Sequence, residues 1–166
     1  MVAGDNYLGD HATPHGNEGS AGEEAALLNN CYVLYCTRLM RNISAVLGNS
    51  SGADEYARAA AAHATAIHAR FFNVRTGGYV DTRQGHLILA LISGVVPAQL
   101  QPRVLATLRY EIEVTQGGHI DTGLTTTYFM YRRLWPERSP VSHILSQIHT
   151  YSCRDIHIYN ILYIYI

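Results

Sequence analysis

The 166-residue chain contains no lysine; all twelve of its basic residues are arginine. That skew is what a GC-rich coding sequence produces. Thirteen acidic residues balance the arginines to a formal net charge of −1, so no nucleic-acid or membrane partner is expected from charge. Cysteine is scarce, and Cys31, Cys36 and Cys153 form an odd set without metal-ligand spacing. Cys31 and Cys36 fall five apart on a predicted helix, on nearly opposite faces, which argues against a disulfide between them. Long apolar runs are also missing, so no membrane-spanning helix is expected, and no charged-then-apolar leader opens the chain. Without an export signal, the sequons at Asn42 and Asn49 carry little weight. Histidines do not pair for metal binding either. Pro14 interrupts the His11/His15 spacing, and His63 and His68 are five apart, so neither a metal nor a cofactor is expected. Strand signals are nearly absent before Ser142.

What remains is helix. After a loop-like stretch rich in Gly, His and Asn, Ser20 precedes Glu23 as in a capping box, and Glu24 adds negative charge to a helix start. Leu28, Cys31, Tyr35, Leu39 and Val46 follow at helical spacing. Leu27, Leu34 and Ile43 widen the apolar face, which predicts burial on more than one side. Gly48 ends this helix, and Ser51 with Asp54 repeats the capping pattern for a second, from about Asp54 to Phe71. Its face is Tyr56, Ala60, His63, Ile67 and Phe71, and the alanines at 59–62 allow close approach to the first helix. Two long helices joined by a short Gly/Ser loop should pack as an antiparallel hairpin.

Gly77-Gly78 then marks a turn, and Asp81 or Thr82 is placed to cap a third helix, Gln84 to about Ser93, closed by Gly94. Pro97 suits the start of a fourth helix running to Gln116, with Leu100, Val104, Leu108 and Ile112 as its stripe. Gly117-Gly118 ends it. The segment His119-Ile120-Asp121-Thr122-Gly123 leads into a fifth helix, Leu124 to Leu134, stopped by Trp135-Pro136. Either Asp121 or Thr122 can cap this helix. A polar loop between two helices is also where a helical scaffold presents a ligand site. Asp10, His119 and Asp121 are the candidate substrate-binding residues, with capping or solvation as the competing role for each. No catalytic residue is assigned. Glu23, Glu24, Asp54 and Glu55 sit at helix starts, and Glu111 and Glu113 lie within a helix on its solvent side. The fold class expected is all-α, about five helices in antiparallel hairpins, one arc of an α/α barrel or a helical repeat array; a non-catalytic α/α helical binding module is the alternative in function.

Several stretches carry a resemblance in order. Gly118-His119-Ile120-Asp121-Thr122-Gly123-Leu124-Thr125-Thr126-Thr127-Tyr128 is similar to the "h-l-x-T-G-hydrophobic-x-G-T" stretch of bacterial-type α-L-rhamnosidases, with Thr126 where Gly is common. Leu8-Gly9-Asp10 resembles that family's "G-D-W", with His11 in place of Trp. Leu47-Gly48 through Asp54-Glu55-Tyr56-Ala57 resembles its helix-hairpin pattern. Phe71-Phe72-Asn73 through Thr76-Gly77-Gly78-Tyr79 and Thr82-Arg83-Gln84 resembles "y-f-d-x-x-t-G-x-y-x-x-x-t-Q". Ala90-Leu91 through Gly94-Val95-Val96-Pro97 resembles "a-L-x-x-G-l-v-P".

The resemblance implies a partial (α/α)6 six-hairpin toroid over residues 1–141, from an inverting glycosidase that releases terminal α-L-rhamnose. The implied partner is a rhamnosyl glycoside. Inversion needs an acid and a base carboxyl group about 6.5–9.5 Å apart. In the family the acid glutamate precedes the matched region and the base follows it. The expectation is therefore a fragment, inactive alone. Each open end of such an arc, baring ~300 Å² of apolar surface, loses about 7 kcal/mol at ~25 cal/mol/Å². Residues 142–166 differ: from His149 the composition turns to Ile, Tyr, His and Asn. This tail is expected to be translated non-coding sequence, with a terminal strand as the alternative.

Overall fold

The computed structural model describes residues 8–14 and 22–134. Among these, five α-helices dominate: α1 (Glu23–Val46), α2 (Ser50–Phe71), α3 (Gln84–Ser93), α4 (Gln101–Tyr110) and α5 (Leu124–Leu134). Between α2 and α3 lies a minimal antiparallel hairpin, β1 (Phe72–Asn73) with β2 (Gly78–Tyr79), where Phe72 faces Tyr79 and Asn73 faces Gly78. The helices form two layers. α1, α3 and α5 stand side by side, α2 packs on α1 as the other arm of a hairpin, and α4 packs on α3. This is the all-α arc expected from the hairpin pattern.

α3 is the hub because of its composition. All of its residues from Gln84 to Leu91 are buried, together with Ser93, so it has no solvent face and must be wrapped on every side. Leu87, Ile88 and Leu89 fill the space between the layers with Leu27 and Leu34 of α1, Ile67 of α2 and Val104 and Leu108 of α4. Gly85 lets α5 come close, since a Cβ there would meet the Thr126 side chain at 3.0 Å. Gly94, at φ 78°, ends α3 in the left-handed conformation that glycine adopts without penalty.

Sequence signals located the elements well and their caps poorly. α1 starts at Glu23, but its N-cap is Gly22, with no side-chain cap; Ser20 lies outside the described residues. α2 starts four residues before Asp54, because Asn49 supplies the cap, its Oδ1 accepting from the Gly52 N–H at 2.9 Å. Asp81 does not cap α3; the N-cap position is Arg83, whose N–H donates to Asp81 Oδ1 at 2.8 Å. The fourth helical stretch opens with a 3₁₀ turn at Ala98–Leu100 and widens into a π-turn at Glu111–Thr115. Its apolar stripe still holds, with Val104, Leu108 and Ile112 all buried. Gly117 and Gly118, at φ 58° and 89°, then reverse the chain, and the Gly118 N–H donates to the Ile112 carbonyl at 2.7 Å.

α1 is buried on several sides only over its first half. Beyond Leu34 its apolar face emerges from the fold: Ile43 is 49%, Leu47 77% and Val46 88% exposed. Cys31 is buried and Cys36 exposed, both as free thiols, which agrees with their opposite faces. The 141/142 boundary, the tail after it, Trp135-Pro136 and Cys153 lie outside the described residues. No helix among the described residues is long and apolar enough to cross a membrane.

Candidate functional site

The starts of α1, α3 and α5 meet at one end of the arc, and polar side chains collect there. Gln84, the first residue of α3, is buried and uses both ends of its amide on the loop before α5. Its Nε2 donates to the His119 carbonyl at 2.9 Å, and its Oε1 accepts from the Asp121 N–H at 3.1 Å. The loop is thereby fixed to the α3 start.

Asp10 reaches the same place from far away in sequence. Its carboxylate accepts from the Gly123 N–H at 2.7 Å, the Thr125 N–H at 3.2 Å and the Thr126 hydroxyl. It therefore caps α5 across more than a hundred residues, satisfying donors that a helix start leaves orphaned. Gly123 makes this possible, since a Cβ there would collide with the His11 carbonyl and the Asp10 carboxylate. The His11 carbonyl adds a further bond, accepting from the Leu124 N–H at 2.8 Å. The role expected of Asp121 or Thr122 is thus filled by Asp10.

Asp121 is buried, and its Oδ2 accepts from Gln116 Nε2 at 3.1 Å. Thr122 shares a hydroxyl–hydroxyl bond of 2.6 Å with Thr127. His119 is exposed; its carbonyl accepts from Gln84 and its N–H donates to the Gln116 carbonyl at 3.0 Å, while its imidazole has no hydrogen-bond partner among the described residues. Asp10 and Asp121 come together in one small cleft with Thr13, Arg83, Gly85, His86 and Thr122, while the His119 side chain does not line it. The space inside is about 10 Å³, room for about one water molecule.

Sequence reasoning missed a second set of residues at this end. His86 is buried and its Nδ1 lies 2.7 Å from Asp81 Oδ1, while Arg83 Nε donates to Asp81 Oδ2 at 2.8 Å. Arg83 also donates to Glu24 at 2.9 Å, tying α3 to the first turn of α1. Burial alone would push the Asp81 carboxyl up. The hydrogen bond and charge of His86, then the Arg83 N–H and guanidinium, outweigh it and hold the carboxyl at about 2. The signal available was the i, i+5 spacing of Asp81 and His86 across a helix start, which fits no familiar motif. Nearby, His68 stacks on Phe72 at 4.7 Å between ring centres and bonds the buried Tyr79 hydroxyl at 2.8 Å. Burial lowers the His68 pKa and raises that of Tyr79. No three His, Cys, Asp or Glu side chains among the described residues converge in a metal-binding group.

Comparison with known proteins accounts for this architecture. A model of the bacterial alpha-L-rhamnosidase six-hairpin glycosidase domain matches residues 3–151. Among solved structures, the alpha-L-rhamnosidase from Dictyoglumus thermophilum is similar at 22% identity and a TM-score of 0.75, over 85% of this chain and 16% of that one. The alfa-L-rhamnosidase from Aspergillus terreus is similar at 20% identity and a TM-score of 0.67, over 76% of this chain and 14% of that one. No curated protein sequence matches the chain. The chain thus spans about a sixth to a seventh of those two enzymes. The helical pairs are an arc of an (α/α)6 toroid, and the chain belongs to the bacterial alpha-L-rhamnosidase six-hairpin glycosidase domain family.

Proposed function

We propose that the chain forms one wall of the catalytic domain of an inverting glycoside hydrolase that releases terminal α-L-rhamnose. The observation that carries this is the family match over residues 3–151. The gathering of Asp10, Asp121, Gln84 and the Asp81–His86 pair at one end of the arc supports it. In this reading that end faces the glycoside. Asp10 holds the α5 start in shape. Asp121, with its Oδ2 on Gln116, fixes the floor of the cleft, and exposed His119 offers a ring nitrogen to a sugar hydroxyl.

The aspartates gathered at this end of the arc are already in use. Asp10 accepts three donors and Asp81 is held by His86 and Arg83. A general acid must carry a proton at working pH, which a carboxyl held at about 2 does not. In this reading the acid and base that inversion requires come from other parts of the domain, and the 166 residues alone do not turn over substrate.

The test grafts residues 8–134 into the alpha-L-rhamnosidase from Dictyoglumus thermophilum in place of the matching arc. In that graft, His119→Ala and Asp121→Asn should each raise KM for an aryl α-L-rhamnoside roughly tenfold, the effect of about 1.4 kcal/mol of lost binding. Proton NMR of the first product should show the inverted anomer. Unchanged KM in both variants, with native circular dichroism, would remove these residues from glycoside binding.

A further inference from the structure

A second opening lies on the other side of the α1 start. The last turn of α2, β1 and the turn after it enclose an open groove with about 550 Å³ of free space, lined by Glu23, Arg70, Phe72, Val74, Arg75 and Val80. That is within the size range of small-ligand sites, about 300–1,000 Å³. Its two cations differ in state. Arg70 is paired with Glu23 at 2.7 Å. Arg75 is exposed, and only its backbone is bonded: its guanidinium has no partner among the described residues. Beside it Val74 is 68% exposed.

The turn carrying Val74 and Arg75 is nevertheless held from two sides. Arg103 Nη2 donates to the carbonyls of Val74 and Arg75, the latter at 3.0 Å. Asn73 Oδ1 accepts from the N–H of Arg75 at 3.0 Å and of Thr76 at 3.4 Å. Four hydrogen bonds thus order a turn whose two outermost side chains bury little of themselves. Order established before binding lowers the entropy cost of capturing a ligand.

We propose that this groove binds a carboxylate carried on a ring. The planar fork of Arg75 takes the carboxylate, and the apolar face of the ring rests against Val74, Val80 and Phe72. With Arg70 neutralised by Glu23, the lining keeps one net positive charge, which fits a monoanion. Only the biological meaning rests on the glycosidase reading. Groove and cleft flank Glu23 and Glu24 at the first turn of α1, so the groove is placed for the part of a glycoside beyond its terminal sugar. A uronic acid and an aromatic acid share the chemistry required.

The test is a ¹⁵N–¹H NMR titration of the 166-residue chain, at a concentration and temperature where sedimentation and circular dichroism show it monomeric and folded, with glucuronate and benzoate, and with glucose and benzamide as neutral counterparts. At least one acid should shift the amides of residues 72–76 and saturate, and raised salt should weaken it. Arg75→Gln should weaken binding roughly tenfold or more, and Arg75→Lys less, since it keeps the charge but loses the fork. Arg75 is exposed, so neither variant threatens the fold. Saturation by glucuronate assigns a sugar acid, and by benzoate an aromatic one. Equal binding of the neutral counterparts, unchanged affinity in Arg75→Gln, or no shifts at 72–76 would overturn the proposal. Neither probe is a rhamnoside and no turnover is needed, so the outcome is independent of the graft.

Discussion

Asp10 shows how one side chain can set the geometry of a distant helix. Its three acceptor bonds at the α5 start are buried, so Asp10→Ala leaves two N–H groups and a hydroxyl without their partner. We expect a loss of about 3 kcal/mol, read as a fall in urea midpoint at unchanged slope. Asp10→Asn, which keeps an acceptor oxygen, should cost less. Asp81 gives a pH signature. Its folded carboxyl sits at about 2 against an ordinary value of 3.8, so its contribution is complete above about pH 4 and lost as pH falls toward 2. Asp81→Asn should flatten that limb of the stability curve relative to the parent, measured by urea unfolding between pH 2 and 5. An identical limb would mean that the pairing with His86 and Arg83 does not persist in solution. Cys31 supplies a third test. Burial raises its thiol to about 12, so iodoacetamide should label Cys36 and spare Cys31 until the chain unfolds. Peptide mass spectrometry reads both sites.

At the scale of elements, periodicity was a better guide than caps. Val104, Leu108 and Ile112 of the stripe were legible because helical spacing alone puts them on one face, while Leu100 sits partly buried in the 3₁₀ turn before them. The π-turn at Glu111–Thr115 was not legible, although it leaves Ile112 buried. The cap of α5 was misread for a physical reason. Local rules consider only neighbours such as Asp121 and Thr122, whereas the carboxylate that arrives comes from Asp10. The candidate site was half legible: Asp10 and Asp121 converge, the His119 side chain stays outside their cleft, and the Asp81–His86 pair went unseen. α3 was visible as an apolar run, but its burial on all sides emerges only from the packing of α1, α4 and α5 around it. Leu87→Ala in α3 should therefore cost about 3–4 kcal/mol, in the upper part of the range for buried leucines, because neighbours on every side restrict collapse. Val46→Ala, in the exposed end of α1, should change the urea midpoint very little.

For the molecule as a whole, the two-layer arc leaves its flanks open. Ile43 and Val46 of α1, Leu47 just after it and Tyr128 on α5, which is 58% exposed, are apolar surface left bare on the arc. Domains are stable by only about 5–15 kcal/mol, so bare flanks of this kind consume much of the margin. Sedimentation of the purified 166-residue chain should show self-association or a weakly cooperative unfolding transition. A monomer with a sharp, reversible melt would argue that the arc is sufficient by itself. The decisive measurement is turnover of an aryl α-L-rhamnoside by the isolated chain and by the graft carrying residues 8–134. None is expected from the chain and measurable hydrolysis from the graft, because the arc restores a wall that the host's acid and base require. A graft that folds but does not hydrolyse, or hydrolysis by the chain alone, would contradict that expectation.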